Sequence, residues 1–358
     1  MEINKQDLFD FCSVASLFIG DSHEFLKKIV LIKPDMSLKR FEFRVTNNFY
    51  SFVFYSKFVS FNNIILRPLV IIIKDLKNIL KHSGDVVVLN QYKEKYYEVS
   101  LISGVVEFDF FDIDDSSLYL VEQIKRPSCV FSVDKKVVLT FLNYVSSLMK
   151  ANSSTILEVK QNLSCFVLNS CVVRLRKLID MDLNLTVKDI SILKKLLKVN
   201  TEGLCYYSTR LYNVFESEKY KFCFLRTKSI HFDRVLGLFN AFHPDLIKRI
   251  NINKFYDALT YFKVSFGATD SLRIFSEESN LKVESTRRIG GKQQFIVSDD
   301  PCDEKIEFQV FLNELLCVLE IFKDLTEVNF CVESEARRFA IVSADGEVSV
   351  LYNNLIKC

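Results

Sequence analysis

One local pattern recurs along this chain and constrains its fold more than any single motif: a strand-like run, a helix-like run, then three short strand-like runs. It is clearest near the end. Glu307-Phe308-Gln309-Val310 reads as a strand and leads into a helical stretch, 311–323, with Leu312, Leu315, Leu316, Leu319 and Phe322 at helical spacing. Strand-like runs follow at 326–332, 337–342 and 347–352. One such unit buries too little apolar surface to offset its ordering entropy. It needs neighbours of its own kind.

Those neighbours are legible upstream. A first unit has a helix at 4–18 with Leu8, Phe11, Cys12, Ala15 and Phe18 on one side, then strands at 27–33, 39–46 and 49–61; the alternation Phe41/Phe43/Val45 marks a half-buried strand. A second opens with a strand at 64–73 and a helix at 74–81 that His82-Ser83-Gly84 stops, with strands at 85–90, 95–102 and 105–113. Lys125-Arg126-Pro127 punctuates the chain. A third has a strand at 129–133, Asp134 as N-cap of a helix ending near residue 150, and strands at 155–160, 163–168 and 171–178. A fourth has a strand at 182–187, a helix at 188–199 and strands at 202–207, 210–216 and 221–227. After a connecting segment, 228–245, a fifth has a strand at 246–252, a helix at 253–266 and strands at 271–276, 281–286 and 294–297. The unit thus recurs about every sixty residues, six times in all. The fold class expected is α+β: six β-α-β-β-β units in three domains, 1–125, 126–245 and 246–358, each joining two units into one sheet system with both helices on a single face. An ordinary α+β chain without internal repeats is the competing reading.

Composition narrows the function. Hydrophobic residues make up 49% and charged residues 26%, as in globular domains, and nine Gly with five Pro leave no low-complexity linker. The formal charge of +2 makes the chain neither a polyanion mimic nor a uniformly basic nucleic-acid binder, so any attraction to DNA depends on where the charges sit. Met1-Glu2-Ile3-Asn4-Lys5-Gln6-Asp7 lacks a signal peptide's cationic and apolar regions, and the apolar run 64–73 is short and broken by Arg67-Pro68; the expectation is a cytoplasmic protein with no membrane partner. Ten cysteines with no C-x-x-C pair read as buried free thiols. His23, His82, His231 and His243 are far apart and lack metal-ligand spacing. Walker, Rossmann and nucleophile-elbow fingerprints are absent; Gly290-Gly291-Lys292 reads as a turn, and Asp112, Asp114 and Asp115 fit a polar strand end as well as a cation site. The chain is expected to be a non-enzyme with no cofactor and no metal.

Lysines supply a more specific signal. On the second helix Lys74, Lys77, Asn78 and Lys81 fall at i, i+3, i+4 and i+7, which puts three ammonium groups on one face. The fourth helix repeats this with Lys188, Ser191, Lys195 and Lys198, and the third carries Lys136, Asn143 and Lys150 with Lys135 beside them. The fifth is mixed, with Lys254 and Lys263 among Asn253, Asp257 and Thr260. The sixth is acidic through Glu314, Glu320 and Asp324, and the first offers Asp7 and Asp10. Lysine suits sequence-independent contact, because a hydrated point charge on a flexible stem follows phosphates without fixing a register.

Three domains of two such units resemble the bacterial sliding clamps, the β subunits of DNA polymerase III, and more distantly proliferating cell nuclear antigen and phage clamps. The likeness covers nearly the whole chain and is most specific in the final unit, Phe308-Gln309-Val310 through Ser349-Val350-Leu351, and in Phe232-Asp233-Arg234-Val235-Leu236, similar to the family's connector between its second and third domains. The resemblance implies a processivity factor: a head-to-tail homodimeric ring around double-stranded DNA, helices lining the hole and sheets outside, loaded by a clamp loader and tethering a DNA polymerase. It makes the eleven lysines Lys74, Lys77, Lys81, Lys135, Lys136, Lys150, Lys188, Lys195, Lys198, Lys254 and Lys263 the DNA-facing set. It also places a partner-peptide pocket at Val172, Val173, Phe232, Val235, Val350 and Tyr352. Two features depart from the family. Leu168-Asn169-Ser170-Cys171-Val172-Val173 stands where its threonine-aspartate-glycine-histidine-arginine-leucine signature belongs, and the chain is not acidic. A divergent clamp, possible in a phage with its own replisome, is the reading; a monomeric processivity factor of the same fold and a β-repeat scaffold are the alternatives.

Overall fold

The computed structural model describes residues 2–19, 29–47, 49–60, 68–92, 96–109, 124–128, 130–149, 156–160, 163–168, 171–176, 181–199, 202–227, 232–266, 271–286, 292–298, 301–302 and 304–352. Within these the strand-helix-three-strand unit is found six times. Module 1 is β1 (Glu2–Asn4), α1 (Lys5–Ile19), β2 (Ile29–Asp35), β3 (Arg40–Thr46) and β4 (Tyr50–Lys57). Module 2 is β5 (Leu69–Ile72), α2 (Ile73–His82), β6 (Val86–Tyr92), β7 (Tyr96–Leu101) and β8 (Gly104–Asp109). Module 3 is β9 (Phe131–Ser132), α3 (Lys135–Met149), β10 (Ile156–Lys160), β11 (Leu163–Leu168) and β12 (Cys171–Arg176). Module 4 is β13 (Leu183–Thr186), α4 (Val187–Leu196), β14 (Cys205–Ser208), β15 (Tyr212–Glu216) and β16 (Tyr220–Leu225), and a helix α5 (Phe232–Asn240) follows it. Module 5 is β17 (Leu246–Asn251), α6 (Ile252–Phe266), β18 (Ser271–Glu277), β19 (Asn280–Thr286) and β20 (Lys292–Ile296). Module 6 is β21 (Glu307–Phe311), α7 (Leu312–Glu320), β22 (Glu327–Glu333), β23 (Arg338–Ser343) and β24 (Val348–Tyr352).

Apolar periodicity explains the module helices. In α2, Ile73, Leu76, Ile79 and Leu80 are buried while Lys74, Lys77, Asn78 and Lys81 are exposed, a stripe set by the helical repeat. The helix stops at His82, after which Ser83 turns extended and its hydroxyl bonds back to the Ile79 carbonyl. Asp134 caps α3 as its sequence position predicts: Oδ1 accepts from the Lys136 amide at 2.8 Å and the Val137 amide at 3.2 Å.

Some boundaries differ from the sequence expectation. β1 has no counterpart in it, because three residues are too few to show a period. The strand expected at 64–73 is confined to Leu69–Ile72, since Ile73 already opens α2; residues 61–67 lie outside the described set. The strand expected at 129–133 shrinks to Phe131–Ser132. The connecting segment 228–245 contains α5, which buries Phe232, Val235 and Phe239 along one side.

Topology ties the modules together in two ways. First, modules exchange opening strands in pairs: β1 pairs with β6 and β5 with β2, β9 with β14 and β13 with β10, β17 with β22 and β21 with β18, all antiparallel. Second, closing strands join across pairs. β4 pairs antiparallel with β16, and β12 with β24. The result is two eight-stranded sheets, β5-β2-β3-β4-β16-β15-β14-β9 and β13-β10-β11-β12-β24-β23-β22-β17, and two four-stranded sheets, β1-β6-β7-β8 and β20-β19-β18-β21. Among the described residues the closing strands β8 and β20 are edges of the four-stranded sheets.

The chain gathers into two compact units. One comprises Met1–Leu139 with Lys188–Arg226, the other Thr140–Val187 with Thr227–Cys358. In the first, Phe11 of α1 is fully buried and stacks on Phe52 with ring centres 5.5 Å apart, flanked by Phe43 and Phe54. In the second, Phe339 lies between Tyr352, at 4.4 Å, and Phe308 and Phe330. Phenylalanine does here what the missing tryptophan would do elsewhere, filling the layer between helix and sheet.

Candidate functional site

Two groups of side chains are candidates. The first is the lysine set. Lys74, Lys77 and Lys81 on α2, Lys136 on α3, Lys188 and Lys195 on α4, Lys198 just after it, and Lys254 and Lys263 on α6 are all exposed, each opposite its helix's buried stripe. The helical spacing therefore delivers the charges to solvent as the sequence predicts.

Lys135 is placed differently. It is half-buried and its ammonium donates to the Val199 carbonyl at 2.6 Å, so it ties α3 to the segment following α4; burial pulls its pKa below the ordinary lysine value. Lys188 remains exposed, with its Nζ 5.6 Å from the centre of the Tyr50 ring, a cation–π position. Lys150 lies outside the described residues.

Two acidic side chains on the helices are engaged locally. Asp7 of α1 accepts from Lys219 at 3.2 Å and from the Ser56 hydroxyl at 2.7 Å, which pins α1 to the sheet below. Glu320 on α7 takes Lys323 at 2.8 Å and the Tyr256 hydroxyl at 3.3 Å. A carboxylate with a cation beside it repels an approaching polyanion less than a bare one does. The sequence shows the acidic residues of these helices but not their partners.

The second group lies on the β12–β24 joint, on the sheet face turned away from the core that Phe339 and Tyr352 fill. Cys165, Val172, Cys331, Ala340 and Leu351 form this apolar face, and Phe232, Val235 and Phe239 of α5 pack onto it. Leu163, Val167, Leu236, Leu238, Phe242 and Val342 complete the cluster. Cations rim it. The Arg174 guanidinium sits 4.5 Å from the Phe239 ring centre, and Lys160 Nζ sits 4.9 Å from that of Phe232. Arg338 donates to the Ala241 carbonyl at 2.9 Å and lies over Phe242. Burial, followed by the nearby Arg176 charge, lowers the Arg174 pKa from its ordinary value.

Of the six pocket residues that the resemblance implies, Val172, Phe232 and Val235 come together here. Val173, Val350 and Tyr352 do not. Val173 pairs with Val350, and Tyr352 stacks on Phe339, so all three point to the opposite, core face; the neighbour across from Val172 is Leu351. Strand parity is the reason, since one residue along a strand switches the face. Phe239 and Arg174, which the sequence expectation does not include, lie on the same face. Phe232, Val235 and Phe239 stand at helical spacing, a signal that could have found the first.

Among the described residues no group of three His, Cys, Asp or Glu side chains could hold a metal ion. No helix there is long and apolar enough to cross a membrane. The eight described cysteines are free thiols, six of them buried. Asp112, Asp114 and Asp115 lie outside the described residues, as do Gly290 and Gly291.

No family model and no curated protein sequence matches the chain. Solved structures do. The DNA polymerase III subunit beta from Pseudomonas aeruginosa superposes with a TM-score of 0.77 at 12% identity, covering 100% of both chains. The DNA polymerase sliding clamp from Bacillus subtilis gives 0.74 at 13%, covering 100% of this chain and 98% of that one. The DNA polymerase III β chain from Streptococcus pneumoniae gives 0.74 at 12%, covering 100% and 99%. Across its entire length, then, this chain resembles the bacterial DNA polymerase III β subunit and has the sliding-clamp fold.

Proposed function

We propose that the protein is a DNA polymerase processivity factor: two copies join head to tail into a ring around double-stranded DNA and tether a replicative polymerase, without reading sequence. On this reading the modules group into three domains, 1–125, 126–245 and 246–358, and the exposed lysines face the phosphates. The β12–β24 joint receives the polymerase and a clamp loader. The protein works in the cytoplasm of a bacterium, or of a bacterium infected by a phage that encodes it.

One observation carries the proposal. The closing strand of module 1 pairs with that of module 4, and the closing strand of module 3 with that of module 6. The same rule pairs module 5 with module 2, yet among the described residues β20 and β8 are both sheet edges. A second copy offering β20 to β8 would complete a third eight-stranded sheet, and the reciprocal joint would close the assembly. Exposed Val105 on β8 and Ile296 on β20 supply apolar surface for it. An exposed edge strand is otherwise an aggregation hazard, so natural chains cover it.

Native mass spectrometry tests this reading. The expected mass is twice the 41.6 kDa of the chain, reverting to one chain when Val105→Glu and Ile296→Glu are combined. A single-chain mass for the unaltered protein at micromolar concentration would favour a monomeric factor that holds DNA by charge alone.

A further inference from the structure

We propose that α5 is a displaceable occupant of the β12–β24 joint, covering in the free protein the apolar face that a partner's peptide takes in the bound one. This rests on the reading of that joint as the partner site and adds how access to it is controlled.

The cover is built from the chain itself. Phe232, Val235 and Phe239 close over Cys165, Val172, Ala340 and Leu351, leaving the rings of Phe232 and Phe239 beneath Lys160 and Arg174. The cover is also weak. α5 has nine residues, shorter than a helix that holds in water by itself. Gly237 stands in its middle, where glycine disfavours the helix. Nothing in the packing calls for that glycine: its φ is not in the left-handed region, and a Cβ there would meet nothing within 4 Å. The helix is thus held by its apolar side and by Arg338, which binds the Ala241 carbonyl at its end. Elements of that kind open locally while the sheet beneath stays closed.

Opening α5 uncovers a mixed surface. The apolar sheet face is exposed together with Arg174, Lys160 and Arg338, which lose the aromatic rings and the carbonyl they now cover. A suitable replacement is a short peptide with an aromatic or aliphatic anchor for the Phe239 position and a carboxylate for the Arg174 guanidinium and the Lys160 ammonium, since Arg338 keeps its ion pair with Glu333. Binding and opening are coupled, so affinity falls by the fraction of molecules in which α5 is open.

The chain's own helix sequence is the probe. A fluorescein-labelled peptide spanning residues 232–242 is titrated into the full-length protein and followed by anisotropy, alongside hydrogen exchange of the α5 amides. Gly237→Ala, which favours the closed helix, is expected to weaken peptide binding about fivefold and slow α5 exchange by the same factor. Phe239→Ala, which loosens the cover, is expected to tighten binding. Equal affinities for the unaltered protein and Gly237→Ala would overturn the proposal, as would α5 amides exchanging no faster than those of β12 and β24. The readout involves no polymerase, so it can succeed even if the joint serves no polymerase, and it can fail while a polymerase still binds there.

Discussion

Removing the ammonium groups of Lys74, Lys77 and Lys81 together tests the proposed DNA contact of one helix face. All three are exposed along α2, opposite the buried Ile73, Leu76, Ile79 and Leu80, so Lys→Ala at each leaves the core untouched. Each phosphate neutralised adds about 0.9 to the negative slope of log affinity against log salt, so three contacts account for a slope of about 2.7. Between 50 and 200 mM salt the triple variant should therefore lose roughly 40-fold less affinity than the unaltered protein. Lys135→Ala, at a half-buried lysine of α3, is the control. Its ammonium is already bound to the Val199 carbonyl, and the slope should not move. Fluorescence anisotropy on a short linear duplex measures both. An unchanged slope in the triple variant, or an equal decrease in Lys135→Ala, would mean that α2 does not face DNA.

Two further outcomes concern the fold that positions these groups. Phe11→Ala removes a fully buried ring packed on Phe43, Phe52 and Phe54, and should cost about 3–5 kcal/mol in a urea titration. Burial pushes the thiols of Cys12, Cys165 and Cys223 up to about 12, so in the native state they stay protonated where unfolded thiols ionise. A pKa raised on folding contributes stability below the unfolded value and loses it as pH rises through the folded one. Stability should thus decline between about pH 9 and 12, with a smaller decline in a Cys12→Ala, Cys165→Ala, Cys223→Ala variant, and native thiols should resist a disulfide reagent at pH 8.

Much of the molecule was readable because its information is local. Leu312, Leu315 and Leu319 announce α7 at helical spacing, and Asp134 announces the start of α3. Alternation at Phe41, Phe43 and Val45 announces β3. The strand exchanges between β1 and β6, or β5 and β2, were not readable, because partner choice depends on residues far apart that no local period records. The candidate joint shows the same division. Val172 and Val235, expected from position along the chain, lie together on the apolar face of the joint, whereas Val350 lies on the opposite face from Leu351: Val348-Ser349-Val350-Leu351-Tyr352 carries apolar residues on both faces, so its parity is fixed only by pairing with β12. α5 was hidden by Gly237, which breaks an otherwise helical run of apolar residues.

Negative-stain images of the full-length protein test the central claim most directly, since the joining rule of the closing strands leaves β8 and β20 for a second copy. The account predicts class averages of a closed annulus made of two copies, six lobes around an open centre. Solid particles, or single-copy arcs that never close at micromolar concentration, would contradict it.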